Sequence, residues 1–424
     1  MSFQAEIGIL RRAFDTALEA VLPDRLVPEA LARIQDHGPA VVLGAGKGAA
    51  AMAAAFHAHW RAPVRGYVVT RYGHGLKAGE ESGAIEIVEA GHPSPDEASV
   101  AAGRRLLDLA AGHASDERLF FLVSGGGSAL ASAPIAGIDL AAKRDAANFL
   151  MNAGANISEI NCVRKHLSAL KGGRLAKAAH PAPVTTYAIS DVPGDDIGDI
   201  ASGPTIADRT TQSDAIRILG DYGYPGLSAL MEVLGDPRNE SPKPDDRAFR
   251  NDHYELIGSA ARAFAAAAEF LRSQGYEVLD LGDDLDREAK SLGREHAELA
   301  RERIRAGRRV AILSGGEARV VITQTGGRGG RNLVYLSSLA LALDGHAGIF
   351  ALAADTDGID GHGGHAGGIV LPSTIATAAE RGASLEESLA ADDSYTFFDA
   401  CDLLILTGPT RTNVNDFRLI LCHP

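Results

Sequence analysis

Residues 120–129 read FFLVSGGGSA, and residues 311–320 read AILSGGEARV. Each stretch is an apolar run that ends in Ser-Gly-Gly, and each is followed further along by an apolar run that ends in aspartates, at 188–196 and 351–360. A strand ending in a glycine turn offers backbone N–H groups to an anion, and a strand ending in Asp offers ligands to a divalent cation. The pattern predicts that the chain builds this pair of features twice, at the carboxyl edges of two sheets.

Short apolar runs alternate with helical stretches along most of the chain. Examples are AVVL at 40–43, GYVVT at 66–70 and AIEIVEA at 84–90. Such alternation is typical of a mostly parallel sheet with helices on both faces. A polar, proline-rich stretch interrupts it at about 222–253, and YELIGS at 254–259 is expected to open a second series. We predict an α/β protein of two three-layer domains, 1–235 and 236–424, with mostly parallel, Rossmann-like sheets and an interdomain cleft. The first helix is free to pack on either domain.

The composition narrows the class of protein. Hydrophobic residues make up 46% of the 424 and charged residues 23%, as in globular proteins. The formal net charge of -14 argues against a nucleic-acid or anionic-membrane partner. No apolar run is long enough to span a bilayer. The three cysteines are not closely spaced, so neither a disulfide scaffold nor a zinc site is expected, and we predict a cytoplasmic protein. The sequence leaves open whether the chain forms a homo-oligomer.

The turn GAGKGA at 44–49 has two interpretations besides plain tight packing. It matches the form GxGxxA after a strand, a partial dinucleotide fingerprint. The acidic residue expected at the end of the next strand is missing, although Arg71 there suits a 2′-phosphate, as in an NADP-dependent reductase. In the other interpretation, Gly46 lets the backbone approach an anion, and Lys47 meets that anion as a point charge.

Two further segments are candidates for anion binding in the first half. Three consecutive glycines favour close approach of the backbone to a ligand in the loop formed by Ser124, Gly125, Gly126, Gly127 and Ser128. The segment 157–174 reads as a helix with one buried stripe and a basic face, ending at a glycine cap. Its four cations are expected to hold a phosphate or a carboxylate: Arg164, Lys165, Lys171 and Arg174.

The second half offers an arginine-bearing glycine loop and an aspartate cluster. GGRGGRN at 326–332 leads into an apolar helix, and its N–H groups with Arg328, Arg331 and Asn332 suit a polyphosphate. The aspartates after the two apolar runs favour Mg²⁺, because oxygen ligands are abundant and thiol ligands are not. Two such edges facing each other across a cleft indicate phosphoryl transfer.

The ordered set of motifs resembles the class II glycerate kinases, whose members have also been named hydroxypyruvate reductases. The motifs include GAGKGA, EAGHPSPD, LVSGGGSAL, INCVRKHLSALKGGRLA, ISDVPGDD, LSGGEA, GRGGRN, AADTDGIDG and TGPTRTNVND, and they span about 44–416. The resemblance implies ATP-dependent phosphorylation of D-glycerate at the 2-hydroxyl, with Mg²⁺. One departure is Arg411, where the family has glycine.

Carried over position by position, the resemblance implies four catalytic residues, Lys47, Lys171, Asp191 and Arg328. Asp191 is expected to orient the attacking hydroxyl and, with Asp357, to bind the metal. Further binding residues are expected at Gly315, Gly316, Glu317, Thr410, Asn413 and Asn415. Two alternatives stay open: an NADP-dependent hydroxypyruvate reductase, and a non-catalytic regulator that binds sugar phosphates.

Overall fold

The computed structural model of the chain describes residues 3–114, 116–324 and 326–424. It confirms the α/β class, with two sheets of six strands each. The chain forms two compact units. The first unit is Pro23–Ile257, and the second unit joins the segment up to Leu22 with Gly258–Pro424. Among the described residues no helix is both long and apolar enough to cross a membrane.

The elements follow one another along the chain as helices and strands. The helices are α1 (Gln4–Glu19), α2 (Pro23–Leu31), α3 (Ala49–His59), α4 (Glu97–Ala111), α5 (Gly127–Leu130), α6 (Leu140–Asn152), α7 (Ile157–His166), α8 (Arg174–Ala179), α9 (Gln212–Asp221), α10 (Leu227–Leu234), α11 (Ala260–Ser273), α12 (Ala289–Arg305), α13 (Arg331–Leu343), α14 (Thr374–Glu380), α15 (Leu385–Ala390) and α16 (Ser394–Ala400). The strands are β1 (Ala40–Ala45), β2 (Val64–Arg71), β3 (Ala84–Ala90), β4 (Arg118–Val123), β5 (Val184–Ile189), β6 (His253–Gly258), β7 (Glu277–Asp280), β8 (Val310–Gly316), β9 (Ile349–Asp355), β10 (Gly367–Val370), β11 (Leu404–Ile405) and β12 (Asp416–Cys422).

The first sheet has the strand order β3-β2-β1-β4-β5-β6. The four pairings from β3 to β5 are parallel, as the alternating pattern predicted. Strand β1 is buried along its whole length, which explains why its sequence is a continuous apolar run. Because these strands are parallel, the turns that follow β1, β4 and β5 lie at one edge of the sheet.

Strand β6 corrects the predicted series. The sequence placed YELIGS at the start of the second α/β series, whereas the structure pairs this strand with β5 in the first sheet. The division between the units therefore falls after Ile257 and not at residue 235. Helix α1 belongs to the second unit, where it packs on α11 and places the Phe14 ring 5.6 Å from that of Phe417.

The second sheet has the order β11-β10-β9-β12-β8-β7. The sequence predicted a mostly parallel sheet here, but most of its strand pairs are antiparallel. Only β7 and β8 pair in parallel, while β12 runs antiparallel to both β8 and β9. Strand β10 is antiparallel to β9 and to β11. An apolar run in the sequence does not show in which direction its strand will run. Here the last strand of the chain, β12, lies between β8 and β9 and runs opposite to both. Its first residue, Asp416, thus lies beside the carboxyl ends of both neighbours.

Candidate active site

The backbone N–H groups of the turn after β1 donate hydrogen bonds to other parts of the protein. Gly46 N donates to Val69 O at 3.1 Å, Lys47 N to Gly125 O at 2.8 Å, and Gly48 N to Ser124 Oγ at 2.9 Å. Gly46 has φ 146°, and a Cβ there would lie 2.2 Å from Ser124 Oγ. The glycine is therefore required for close packing of the turn against Ser124. Ser124, predicted to bind ligand, has a fully buried side chain that instead fixes this turn.

The loop after β4 is the turn for which the sequence predicted anion binding. Gly126 has φ 80°, in the left-handed region, and α5 begins at the next residue. Within the described ranges, no protein acceptor receives the N–H groups of Gly125, Gly126 or Ser128. Successive N–H groups around a left-handed residue form a concave nest that binds anions. We call these three residues, with Gly127, the glycine nest.

Two side chains flank the glycine nest. A Cβ built on Gly126 would lie 3.3 Å from Lys47 Cγ and 2.9 Å from the imidazole of His92. The structure thus brings together Lys47 and the loop after β4, which the sequence had named separately. His92 was missed, although it belongs to the EAGHPSPD motif. The sequence could have indicated His92 by its position just after β3. The carboxyl end of β3 lies at the same edge of the sheet as those of β1 and β4.

Lys171 is not an exposed cation on a helix face. Helix α7 ends at His166, and Lys171 lies in the following turn, 1% exposed. Its Nζ donates to Ser128 O at 2.8 Å, to Ala201 O at 3.4 Å and to Ala131 O at 3.5 Å. Burial, followed by repulsion from Lys143, lowers the pKa of Lys171 well below its ordinary value. This lysine ties the end of the glycine nest to its surroundings.

The other three cations of this segment do not form the expected grip. Lys165 Nζ lies 3.5 Å from the buried Asp208 carboxylate. Arg174 donates to the carbonyl oxygens of Lys165 and Lys171 at 3.1 and 3.3 Å. Arg164 is half-buried, with its guanidinium 3.8 Å from Met151 Sδ. Lys165 thus faces an internal acid, and Arg174 donates to carbonyl oxygens in and after the last turn of α7. A helical-wheel pattern does not distinguish these roles from ligand binding.

Asp191 follows β5 at the same edge as the glycine nest. It is half-buried, and the preceding Ser190 accepts from Val192 N at 3.2 Å, which shapes the turn. Since β5 is the immediate neighbour of β4, the parallel register places Asp191 next to the strand that carries the glycine nest. The predicted aspartate is therefore at the expected edge.

The second Ser-Gly-Gly differs from the first because its glycines belong to a strand. Gly315 and Gly316 end β8, opposite Phe417 and Asp416 of β12. Gly315 N donates to Gly282 O at 2.9 Å, and a Cβ on Gly316 would lie 2.4 Å from Leu285 N. These glycines admit the loop around 282–285 and do not form the expected anion-binding turn.

Arg331 and Asn332 hold carboxylates of the protein. Arg331 donates to Asp355 Oδ2 at 2.6 Å and to Asp416 Oδ1 at 2.8 Å, and Glu317 Oε1 lies 3.3 Å away. Burial alone would lower the pKa of Arg331, but these carboxylates raise it well above its ordinary value. Asn332 Nδ2 donates to Asp416 Oδ1 at 2.7 Å. The predicted contact of Arg331 with a polyphosphate is thus replaced by a contact with internal acids.

The start of α13 is capped by Asp360. Its two carboxylate oxygens accept from Asn332 N and Leu333 N, both at 3.1 Å. Gly330 is required here, because a Cβ would lie within 2.3 Å of the Asp360 carboxylate. The positive end of the helix dipole therefore already has its anion, which the glycine-rich sequence did not reveal.

The loop before β12 is bonded to the end of β9. Thr410 N donates to Asp357 O at 3.1 Å, and Thr356 Oγ1 donates to Asn415 O at 2.7 Å. Asp357 is 2% exposed and accepts from Ile359 N at 2.8 Å, while Asn413 is 5% exposed. Asn415 N also donates to Asn413 Oδ1 at 3.2 Å, so Thr410, Asn413, Asn415 and Asp357 lie in one bonded region, and their binding roles stay predictions. Arg411 lies in this loop with φ 62°.

Arg328 remains on the surface of the second unit. Its guanidinium carbon lies 4.2 Å from the centre of the Tyr395 ring, and its backbone N donates to Asp393 Oδ1 at 3.2 Å. Stacking on an aromatic ring orients a guanidinium and leaves its edge available for hydrogen bonds. Ligand binding by Arg328 stays a prediction.

The predicted metal ligands are carboxylates on different units. Among the described residues, no three His, Cys, Asp or Glu side chains form a cluster that could hold a metal ion. Mg²⁺ in phosphoryl-transfer enzymes keeps waters and uses one or two carboxylates together with substrate phosphates. Asp191 and Asp357 offer the oxygen donors that this ion prefers.

Comparison with known proteins identifies the family. A domain of unknown function, DUF4147, matches residues 9–234, and the MOFRL family matches residues 310–416. The chain is 37% identical over 404 residues to a D-glycerate 2-kinase of Thermotoga maritima, covering 94% of each chain. The chain belongs to the glycerate kinase family. A crystal structure of glycerate kinase from Thermotoga maritima matches 99% of this chain and 100% of its own, with a TM-score of 0.87 and 35% identity.

A further relative of the chain is named after a different activity. A protein of Agrobacterium vitis, 46% identical over 419 residues, covering 97% of this chain and 94% of its own, is provisionally named a hydroxypyruvate reductase. That name corresponds to the alternative that the GxGxxA turn raised.

Proposed function

We propose that the protein catalyses ATP-dependent phosphorylation of D-glycerate at the 2-hydroxyl. The hydroxyl oxygen attacks the γ-phosphorus of ATP, the bond from that phosphorus to the ADP oxygen breaks, and the hydroxyl proton is released. The products are 2-phosphoglycerate and ADP. Support comes from the relative named D-glycerate 2-kinase, which matches almost the whole chain.

One structural observation favours phosphoryl transfer over hydride transfer. The glycine nest has three N–H groups without a protein acceptor among the described residues, next to Lys47, whereas the GxGxxA turn has spent its N–H groups on Val69, Gly125 and Ser124. A dinucleotide fold needs the N–H groups of that turn for the pyrophosphate. The strand order of the first sheet is the one found in dinucleotide-binding folds, but its first turn is closed. The proposed anion site is instead the loop after β4, the strand next to β1 in the sheet.

The proposed roles follow from charge and position. The glycine nest binds phosphate oxygens of ATP, and Lys47 neutralises their charge beside it. Arg328 stabilises charge that develops in the transition state, and Asp191 orients the attacking hydroxyl as a weak base. Positioning and charge neutralisation, more than covalent chemistry, supply the rate in such reactions.

Mg²⁺ is the proposed metal, with Asp191 of the first unit as its proposed protein ligand, and the metal-binding role of Asp357 stays a prediction. When bound, the ion neutralises charge on the ATP phosphates. Mg²⁺ in phosphoryl-transfer enzymes is held mainly by phosphates and water, with one or two carboxylates from the protein. Activity is expected to disappear with EDTA and to return when Mg²⁺ is added. Turnover that persists in EDTA would refute the metal requirement.

Two parallel assays separate the kinase from the alternatives. ADP formation from ATP and D-glycerate is measured beside NADPH oxidation at 340 nm with hydroxypyruvate, using the same purified protein. We expect ADP formation alone. NADPH oxidation without ADP formation would support the reductase, and ligand binding without either reaction would support a regulator. ³¹P NMR of the product distinguishes the 2-phosphate from the 3-phosphate. A cytoplasmic location and a homo-oligomer stay predictions.

A further inference from the structure

Three consecutive residues in the first unit have left-handed backbone conformations. They are Ala201 with φ 52°, Ser202 with φ 59° and Gly203 with φ 58°. Residues other than glycine rarely adopt this conformation, and when they do the surrounding structure must impose it. We call Ala201–Gly203 the left-handed turn. Ser202 is fully buried and Ala201 is 8% exposed, so the turn is part of the interior.

The hydroxyl of Ser202 forms a hydrogen-bonded chain that ends in the glycine nest. Asn161 Nδ2 donates to Asp199 Oδ1 at 3.0 Å, and a carboxylate only accepts, so Asn161 presents Oδ1 to Ser202. Ser202 Oγ donates to that oxygen at 3.0 Å. The remaining contact, Ser202 Oγ to Ser128 Oγ at 3.0 Å, is then one in which Ser128 donates. The chain therefore fixes the direction of the Ser128 hydroxyl.

Two further contacts connect the left-handed turn with the nest. Lys171 Nζ bridges Ala201 O and Ser128 O. The Ala201 methyl packs on Gly127 so closely that a Cβ on that glycine would lie 2.8 Å from it. The left-handed turn is itself held in place, because Gly172 N donates to Ser202 O at 3.1 Å and Gly173 N donates to Gly203 O at 2.8 Å.

We propose that the left-handed turn is a positioning element for the glycine nest, with Ser202 as its principal positioning residue. It keeps the Ser128 hydroxyl and the N–H groups of the nest in the geometry that accepts a phosphate group. A strained conformation persists only where the surrounding structure imposes it, and relaxation of this turn would displace the nest. This inference rests on the proposed function, because it assumes that the nest binds ATP phosphates.

The test compares Ser202→Ala with Ser99→Ala. Alanine keeps the same backbone restrictions as serine, so Ser202→Ala removes only the hydroxyl. Ser99 is also fully buried, and its hydroxyl caps α4 by accepting from Asp96 N at 3.1 Å. Both variants are expected to melt at lower temperature. Only Ser202→Ala is expected to lose at least tenfold in kcat/KM for ATP, with the KM for D-glycerate changed less than twofold.

A double-mutant cycle and a second variant complete the test. If Ser202 acts through Ser128, Ser128→Ala with Ser202→Ala should lose no more activity than the worse single variant. Ala201→Gly, which relaxes the turn without removing a hydrogen-bonding group, should also lower kcat/KM for ATP, and it serves if Ser202→Ala does not fold. The inference would be overturned if a folded Ser202→Ala or Ala201→Gly protein had the kcat/KM for ATP of the wild type. It would also be overturned if the KM for D-glycerate changed more than the kcat/KM for ATP.

The outcome can be separated from a failure of the proposed function. If the wild-type protein forms no ADP from D-glycerate, the proposed function fails. The positioning role is then decided by isothermal titration with ATP alone. A tenfold weaker Kd in Ser202→Ala than in Ser99→Ala supports it, and equal affinities, or no ATP binding by the wild type, overturn it.

Discussion

Substitution of one glycine should separate the anion-binding role of the nest from its contribution to stability. Gly126 has φ 80°, and a Cβ there would lie 2.9 Å from the His92 ring and 3.3 Å from Lys47 Cγ. Gly154, which follows α6, has φ 81° and nothing within 4 Å of such a Cβ. Gly126→Ala and Gly154→Ala therefore impose nearly the same backbone strain, but only the first places a methyl group in the candidate site.

The expected magnitudes follow from this pairing. A left-handed alanine costs about 1–2 kcal/mol. The smaller entropy of the unfolded alanine chain returns about 0.4–1 kcal/mol. Both variants should thus lose about 1 kcal/mol of unfolding free energy, about 2–4 °C in Tm for a unit of this size. A hydrogen bond to a charged group contributes about 1.5–3 kcal/mol. Its loss at the nest should lower kcat/KM for ATP about ten- to hundredfold in Gly126→Ala alone.

The measurement is urea denaturation of both variants together with steady-state ADP formation at varied ATP concentration. Similar unfolding free energies with a selective loss of activity in Gly126→Ala would confirm the role of the nest. If the two variants have the same kcat/KM, Gly126 does not approach a reacting ligand, and the assignment of the nest is wrong.

Three further predictions concern charge and strain. Lys47→Ala should lower kcat about 10²–10³-fold with an unchanged circular dichroism spectrum; near-normal turnover would remove Lys47 from the site. The pKa of Glu240 is lowered to about 2 although burial raises it, because Lys243 and two backbone N–H groups outweigh burial. The stabilisation that the ionised Glu240 gives to the folded protein is therefore full above its ordinary pKa of 4.5 and is lost as the pH falls towards 2. Glu240→Gln should accordingly destabilise the protein in urea titrations at pH 6 and much less at pH 3, and a constant difference would contradict this. Arg411→Gly should be about 1 kcal/mol more stable than Arg411→Ala, because both remove the side chain and only alanine keeps the strain at φ 62°; equal melting temperatures would show that the loop relaxes.

Local patterns predicted much of the first unit. The glycine loop at 124–128 was predicted to approach a ligand because three glycines after a buried run are unfavourable in regular structure. The structure shows that N–H groups of this loop have no acceptor among the described residues. The same reasoning failed for Gly315 and Gly316, which have the same local signal but serve the packing of a neighbouring loop. A glycine in the sequence shows that space is needed at that position. It does not show whether a ligand or another part of the chain occupies the space.

Charged residues were the least predictable part of the candidate site. Lys171 and Arg331 were expected to meet phosphate, and both hold acceptors of the protein itself. Each partner is distant in sequence, such as Ser128 for Lys171 and Asp416 for Arg331. No spacing rule connects such pairs, so the sequence could identify the cations but not their partners.

The sequence by itself determined the α/β class, the parallel sheet of the first unit and the glycine nest after β4. Buried parallel strands and glycine turns are specified by residues within a few positions of one another. Only the tertiary structure decided that β6 belongs to the first sheet, that β12 inserts between β8 and β9, and that Asp360 occupies the start of α13. These features depend on contacts between segments far apart in the chain, where the direction of a strand and the choice of an ionic partner are set by packing and burial.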